Sequence, residues 1–243
     1  CTQGTGMTAP LVFLPGWCIG RGPVSATVNA LNGTIFDLPG YGKTPLIIDF
    51  DAAAADIAAR LPENCTLCGW SLGAQLALAI AANSPEKVGK LLLVAGTASF
   101  IQRQDWPHAM PPEMLAEFTR GMLADVEAML PRFVGGFNRG DARAKEVTLQ
   151  LLELADPRPP GEVLATGLNW LRDVDLRQSL PRIQAPTLLI HGSSDPLMPL
   201  GAAEALAARI PGARLVAFAD CAHAPFISRP DDFLAAVREF LHE

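Results

Sequence analysis

The chain has 243 residues, of which 49% are hydrophobic and 18% are charged, and its formal net charge is −6. A chain of this size can bury a full hydrophobic core, and its composition argues against a disordered protein. The negative net charge argues against general binding of nucleic acid.

The first part of the chain alternates short apolar runs with helical patterns. Strands are predicted at 11–14, 34–38, 65–68 and 90–95, and helices at 24–31, 51–61 and 72–82. Asp49 or Asp51 is the predicted cap of the second helix. This spacing predicts an α/β fold with a mostly parallel central sheet, flanked by helices, whose ligands bind at the carboxyl ends of the strands.

The alternation stops after the fourth strand. Residues 99–180 show helical patterns at 113–130, 143–154 and 162–171 but no convincing strand, which predicts an inserted helical lid. Strands at 187–191 and 214–219 and helices at 201–210 and 230–242 then resume the rhythm. The predicted domains are therefore a core of residues 1–98 and 181–243 and a lid of residues 99–180.

The segment Gly-Trp-Ser-Leu-Gly at 69–73 follows a predicted strand and opens a predicted helix. Strand, G-x-S-x-G and helix is the context of a nucleophile elbow, in which a strained turn presents the serine above the sheet edge. The positive end of the helix behind it favours developing negative charge. Ser71 is therefore the predicted nucleophile.

A serine hydroxyl needs a base to take its proton, and four histidines compete for that role. His108 lies in the predicted lid, His242 lies at the end of the chain, and His191 ends a strand, where a packed histidine is the simpler interpretation. His223 follows the last predicted strand in a loop that would open over the sheet edge. His223 is the predicted general base.

An acid must orient the base, and in this motif order it precedes the histidine. Asp195 follows the strand at 187–191 and would reach His223, although an Asp before Pro196 can also simply form a turn. Asp220 ranks second because it belongs to a strand end. The predicted oxyanion donors are the backbone N–H groups of Leu72 and Trp17.

The remaining features restrict the class of protein. The five cysteines have no small-scaffold spacing and are interpreted as reduced core residues. No run of 18 apolar residues occurs, and the first residues do not follow the pattern of a secretory signal. We expect a soluble cytoplasmic protein that does not enter a membrane.

Several segments, in their order, resemble the α/β-hydrolase superfamily over nearly the whole chain. They are Leu-Pro-Gly-Trp at 14–17, Asp-Leu-Pro-Gly-Tyr-Gly at 37–42, Gly-Trp-Ser-Leu-Gly at 69–73, His-Gly-Ser-Ser-Asp at 191–195 and the late His223. More narrowly, the elbow, Asp-Trp-Pro at 105–107, Asp-Val-Asp-Leu-Arg at 173–177 and Ala-His-Ala-Pro-Phe-Ile-Ser at 222–228 are similar to the pimeloyl-[acyl-carrier protein] methyl ester esterases of biotin synthesis. Pro15 departs from the histidine that often stands in the oxyanion loop.

The resemblance implies hydrolysis of the methyl ester of pimeloyl-[acyl-carrier protein], with release of methanol. Ser71 would attack the ester carbonyl, His223 would pass the proton to the leaving methoxide, and water activated by His223 would release the acyl group. No metal and no organic cofactor is implied. The expected partner is an acyl-carrier protein, and we expect the esterase itself to be a monomer.

A carrier protein is acidic around its phosphopantetheine-bearing serine, so its binding site should carry clustered cations. The predicted lid contains such a cluster: Arg132, Arg139, Arg143 and Lys145. These are the predicted carrier contacts, and an ordinary solvated helix face is the alternative.

Apolar lid residues can either cover an acyl chain or pack the lid's own core. They are Trp106, Met110, Phe118, Phe133 and Phe137. Packing within the lid is the preferred interpretation for most of them, and Phe137 is the one assigned to substrate binding.

Other functions stay open on the same residues. A carboxylesterase of broad specificity for small or short-chain esters would use the same triad. The intact set of Ser71, Asp195 and His223 argues against a binding protein without activity, and lyase or cofactor-free peroxidase chemistry is a further alternative.

Overall fold

The structure is a computed structural model that describes residues 9–155 and 158–243, so Cys1 lies outside the described residues. These residues form a six-stranded sheet in the order β2-β1-β3-β4-β5-β6, with every neighbouring pair parallel. The strands are β1 (Leu11–Leu14), β2 (Thr34–Ile35), β3 (Cys65–Trp70), β4 (Val88–Val94), β5 (Thr187–Gly192) and β6 (Arg214–Phe218). Since all strands run the same way, their carboxyl ends share one edge.

Helices cover the sheet and form the segment between β4 and β5. They are α1 (Gly22–Ala30), α2 (Phe50–Arg60), α3 (Leu72–Asn83), α4 (Pro112–Ala124), α5 (Val126–Phe137), α6 (Ala144–Leu154), α7 (Gly161–Asp173), α8 (Leu200–Arg209), α9 (Pro225–Ser228) and α10 (Pro230–His242). We call α4 to α7 the helical segment. Within the described ranges, none of these helices has the length and apolarity needed to cross a lipid bilayer.

The core lies around β3, the central strand that leads to Ser71. β1, β3 and β5 are buried along their whole length, as parallel strands covered on both faces must be. Helix α3 is buried from Leu72 to Ala82, because its many alanines let it lie close against the sheet. The packing fixes both elements that flank Ser71.

Two predicted elements differ from the structure. The predicted strand at 34–38 pairs only over β2, because the chain turns at Gly40, where φ is +86°. The prediction of one helix over 113–130 is wrong. The helix breaks at Asp125, whose backbone is extended rather than helical. The Asp125 carboxylate caps the next helix, α5, by accepting from Ala128 N–H at 3.0 Å.

The stretches of chain that lead into and out of the helical segment contact each other. Leu176 N–H donates to Ala98 O at 2.9 Å, beside the end of β4. The Arg177 guanidinium pairs with Asp105 and, at 2.7 Å, with Asp175. The motifs at 105–107 and 173–177 therefore contact each other where the chain enters and leaves the helical segment.

We expect Arg177→Met to lower the free energy of unfolding by about 1–3 kcal/mol, because Asp105 and Asp175 lose the cation that they share and are left with the more distant Arg209, at 3.3 Å, and Arg103, at 3.5 Å. Arg172→Met is the matched control, since Arg172 is 58% exposed and its salt-bridge partner among residues 9–155 and 158–243 is the neighbouring Asp173. That change should cost about 0.5 kcal/mol or less. Urea unfolding measures both, and equal losses in the two variants would refute a structural role for the Arg177 pairs.

Candidate active site

Three loops at the carboxyl edge of the sheet bring Ser71, His223 and Asp195 together. His223 Nε2 lies 3.0 Å from Ser71 Oγ, and His223 Nδ1 lies 2.7 Å from Asp195 Oδ2. The three residues are 8%, 1% and 4% exposed, respectively, so water hardly competes for these bonds. Asp220, the alternative acid, is exposed at the end of the turn after β6. The arrangement can activate a serine hydroxyl.

The backbone at Ser71 is held in a strained conformation, with φ 57° and ψ −117°. Its N–H donates to Val94 O at 3.0 Å, which ties the turn to β4. A methyl group on Gly73 would lie 2.2 Å from Leu14 O, and one on Gly69 would lie 2.3 Å from Gly73 O. Only glycine therefore fits at these two positions, and the packing of β1, β3 and α3 maintains the strain.

The Asp195 carboxylate is fixed by the turn that it forms. Its Oδ1 accepts from the N–H groups of Leu197 and Met198, each at 2.9 Å, while Oδ2 contacts His223. The turn and the orientation of the histidine thus use different oxygens of one carboxylate. Asp195 can therefore both orient His223 and form the turn before Pro196, the two interpretations that the sequence allowed.

The His223 main chain and ring are both held in place. Trp70 Nε1 donates to His223 O at 2.9 Å, and the ring of Phe137 lies 5.0 Å from the imidazole, centroid to centroid. Through Phe137 the helical segment packs against the imidazole. The geometry of the base therefore depends on the segment as well as on the sheet.

The loop after β1 lies directly against the elbow. A methyl group on Gly16 would come within 3.4 Å of Ser71 Cβ. Among the described residues, the N–H groups of Trp17 and Leu72 have no hydrogen-bond acceptor. Two free donors beside a nucleophile are what an oxyanion requires.

Tyr41 contributes to this loop in a way that the sequence did not reveal. Its hydroxyl accepts from Cys18 N–H at 2.8 Å, next to Trp17, and Cys18 has a φ of +61°. Trp17 itself donates from Nε1 to Leu164 O at 3.1 Å. The motif at 37–42 showed a turn, but only the folded chain brings its tyrosine to the loop after β1.

A cavity of about 360 Å³ extends from Ser71 and His223 beneath the helical segment. Most of the apolar lid residues that were predicted to pack the lid's own core do pack against the core, and they also line this cavity. The cavity lining includes Met110, Phe118, Phe133 and Phe137. Trp106 is the exception, buried with its Nε1 donating to Thr97 Oγ1 at 3.0 Å. The cavity suits an apolar chain with its reacting group at the serine.

The predicted cation cluster divides into groups with different surroundings. Arg132 and Arg139 are exposed and line the cavity, so the cavity reaches the surface beside them. Lys145 is exposed but does not line it. Arg143 forms a salt bridge with Glu146, and this hydrogen-bonded partner raises the pKa of the guanidinium. Arg143 is thus already paired within the chain.

The three histidines other than His223 lie away from Ser71 Oγ. His191 is 1% exposed, and its Nε2 lies 2.6 Å from Met198 O. Burial lowers its pKa, so the neutral ring donates to that carbonyl. His108 and His242 are exposed.

The four described cysteines are free and buried. Burial raises the pKa of the Cys65 thiol to about 11 and that of Cys221 to about 12, so these thiols stay protonated at neutral pH. Burial also raises the pKa of the Cys18 and Cys68 thiols. None of the four is set up as a nucleophile.

Comparison with known proteins places this geometry among hydrolases. Residues 11–237 match the family model described as "Alpha/beta hydrolase family". The pimeloyl-[acyl-carrier protein] methyl ester esterase of Nitrosomonas europaea is 37% identical over 241 residues, covering 96% of each chain. The protein of the same name from Aromatoleum aromaticum is also 37% identical, over 94% of this chain and 96% of its own. An esterase from Exiguobacterium antarcticum superposes with a TM-score of 0.86 and 27% identity, over 97% of this chain and 92% of its own. The predicted fold class and resemblance are confirmed.

Replacing the acid tests the role of each carboxylate. We expect Asp195→Asn to lower kcat for a p-nitrophenyl ester about 10⁴-fold, because His223 would then be held in the wrong tautomer. Ser71→Ala should lower it about 10⁶-fold. Asp220→Asn is the control and should leave kcat unchanged. A comparable loss in Asp220→Asn would contradict the assignment of Asp195.

The buried His191 should make stability depend on pH. Its pKa in the folded chain lies below the unfolded value of about 6.5, so the unfolded chain binds more protons as the pH falls through and below that value. The stabilisation present above pH 6.5 is then lost, by at most about 1.4 kcal/mol per pH unit. Urea unfolding of His191→Gln at pH 7.5 and 5.5 should show a smaller loss than the wild type. His242→Gln, at an exposed position, should behave as the wild type; an unchanged loss in His191→Gln would refute the effect.

Proposed function

The chain belongs to the alpha/beta hydrolase family, and from that premise we propose that it is a serine carboxylesterase that hydrolyses the methyl ester of pimeloyl-[acyl-carrier protein]. The observation that carries the proposal is the hydrogen-bonded series of Ser71, His223 and Asp195 at an apolar cavity that reaches the surface beside exposed cations. The names of its full-length relatives support the substrate.

In the first half of the proposed reaction, Ser71 Oγ attacks the ester carbonyl while His223 Nε2 takes its proton. The carbonyl oxygen becomes an oxyanion, to which Trp17 and Leu72 would donate their free N–H groups. Asp195 accepts from His223 Nδ1 and so stabilises the imidazolium that forms. Collapse of the intermediate expels methoxide, which takes the proton from His223 and leaves as methanol.

In the second half, a water molecule replaces methanol beside His223. The imidazole takes a proton from the water as its oxygen attacks the acyl-enzyme carbonyl, and the same N–H donors stabilise the second oxyanion. The proton then passes from His223 to Ser71 Oγ as the acyl bond breaks. The product is a carboxylic acid at the end of the acyl chain, which releases its remaining proton to solvent and leaves as the carboxylate.

The lining of the cavity supports one orientation of the substrate. The methyl ester would lie at Ser71 and the apolar chain against Phe118, Phe133 and Phe137, with the thioester and phosphopantetheine towards Arg132 and Arg139. A thioester held at the mouth stays away from the nucleophile. The acidic carrier would then meet the cations at the surface.

A carboxylesterase for small free esters is the second candidate. The resemblance to the Exiguobacterium protein, which is named simply as an esterase, and the apolar cavity favour it. Both candidates use the same residues for the chemistry. They differ in whether the surface cations contribute to turnover. A monomeric state and a cytoplasmic location remain predictions from the sequence.

Charge reversal at the cavity mouth separates the two candidates. For the carrier-linked methyl ester, we expect Arg132→Glu and Arg139→Glu each to raise KM by a factor of about 5 to 30, equivalent to 1–2 kcal/mol of lost and reversed attraction. For p-nitrophenyl butyrate, both variants should match the wild type. Increasing salt should raise the wild-type KM for the carrier substrate towards that of the variants, and it should have no such effect with p-nitrophenyl butyrate.

Arg120→Glu provides the matched control. Arg120 is an exposed cation of α4 that does not line the cavity, so its reversal makes the same change in net charge elsewhere on the helical segment. If Arg120→Glu has the same effect as Arg139→Glu, net charge rather than a docking site explains the result. If no reversal matters and free esters are hydrolysed faster than the carrier substrate, the broad carboxylesterase is the correct function.

A further inference from the structure

The turn between α5 and α6 contacts the loop that carries His223 through a buried carboxylate. Asp141 is 7% exposed, and its Oδ2 accepts from Ala222 N–H at 2.9 Å. Its Oδ1 accepts from Ser228 Oγ at 2.9 Å and from Arg143 N–H at 2.7 Å. Asp141 thus binds the residue directly before His223 and the last residue of α9, which follows the loop.

The opposite side of the same loop is held by the sheet. Ser194 N–H donates to Cys221 O at 2.9 Å, and Trp70 Nε1 donates to His223 O at 2.9 Å. The loop begins at Asp220, whose φ is +51°, a conformation that a non-glycine residue adopts only when its surroundings hold it there. Asp141 therefore closes a clamp whose other half is formed by the loops that carry Ser71 and Asp195.

A second pair of contacts strengthens the connection from the helical segment. Ala142 N–H donates to Asp220 O at 2.9 Å. The Arg143 guanidinium donates to Ser228 O at 2.9 Å and to Ile227 O at 3.3 Å. Three consecutive residues of the α5–α6 turn thus bind backbone on both sides of His223.

We propose that Asp141 is a positioning residue for the catalytic base, which couples the helical segment to the placement of His223. The inference rests on the proposed role of the Ser71, His223 and Asp195 triad but not on the identity of the ester. Without Asp141, the buried Ala222 N–H loses its acceptor and the loop shifts to satisfy it. A displacement of His223 by about 1 Å would cost on the order of 100-fold in rate.

A carboxylate is suited to this position because it only accepts hydrogen bonds. All three groups around Asp141 donate: two are backbone N–H groups, and the third is a hydroxyl, which can also accept. An asparagine would place an N–H₂ where one of these donors points. Ser228 Oγ can rotate to accept from that group, so Asp141→Asn should keep part of the hydrogen bonds that the Asp141 side chain makes, and Asp141→Ala should keep none of them.

The test compares steady-state hydrolysis of p-nitrophenyl butyrate by the full-length wild type, Asp141→Ala and Asp141→Asn. We expect kcat to fall about 10- to 100-fold in Asp141→Ala and less in Asp141→Asn, with KM nearly unchanged, because the misplaced base affects the chemical step. The rate at which a fluorophosphonate probe labels Ser71 should fall in the same order. A merely structural residue would lower stability without this ordered loss in kcat.

Asp125→Ala is the matched control. Asp125 also accepts a backbone N–H through its carboxylate, at 3.0 Å, and it belongs to the same helical segment, but it caps α5 instead of binding the His223 loop. Its kcat should stay at the wild-type value at a temperature where circular dichroism shows all variants folded. Should Asp141→Ala fail to fold, Asp141→Asn decides alone: a lowered kcat with native circular dichroism supports the proposal.

The outcomes separate this inference from the proposed function. If the wild type labels at Ser71 and both Asp141 variants keep the wild-type kcat and labelling rate, the positioning role is refuted while the esterase remains. Loss of kcat in Asp125→Ala equal to that in Asp141→Ala would also refute it, since any damage to the segment would then suffice. If the wild type neither hydrolyses esters nor labels, the proposed triad fails first. Failure on the carrier substrate alone leaves the positioning role intact.

Discussion

The 2.7 Å contact between His223 Nδ1 and Asp195 Oδ2 is the interaction on which the site depends. It orients a buried imidazole so that the opposite nitrogen faces Ser71 Oγ at 3.0 Å. The residues come from loops that follow β6 and β5, and Ser71 follows β3. In a parallel sheet all carboxyl ends share one edge, so loops that follow different strands can meet there although they are distant in the chain.

The same edge accommodates backbone strain at Ser71, and the surrounding core stabilises it. The positive φ of Ser71 persists because β3 and α3 are buried on either side of it and glycines let them approach. Strain of this kind costs on the order of 1–3 kcal/mol, which is small beside the apolar burial of a fully covered central strand and helix. The function of the serine and the stability of the core are therefore linked through one turn.

The helical segment acts on the site from the side opposite to the sheet. It supplies the apolar lining of the cavity, the Phe137 ring against His223, and the Asp141 carboxylate that binds the residue before His223. Where the chain enters and leaves this segment, Arg177 pairs with Asp105 and Asp175. The segment between β4 and β5 thus becomes part of the candidate active site through a small number of polar contacts and one shared apolar surface.

The sequence by itself determined the order of strands and helices, and it predicted the elbow at Ser71 with Asp195 and His223, which the structure brings within hydrogen-bond distance, because these depend on local patterns and on the order of motifs. It did not determine the break at Asp125, since a capping side chain competes with an uninterrupted helical period. Nor did it show that Phe118 and Phe133 face a cavity, because periodicity reveals an apolar side of a helix but not what covers that side. The contacts of Tyr41 with Cys18 and of Asp141 with Ala222 join residues distant in the chain, and only tertiary packing could decide them.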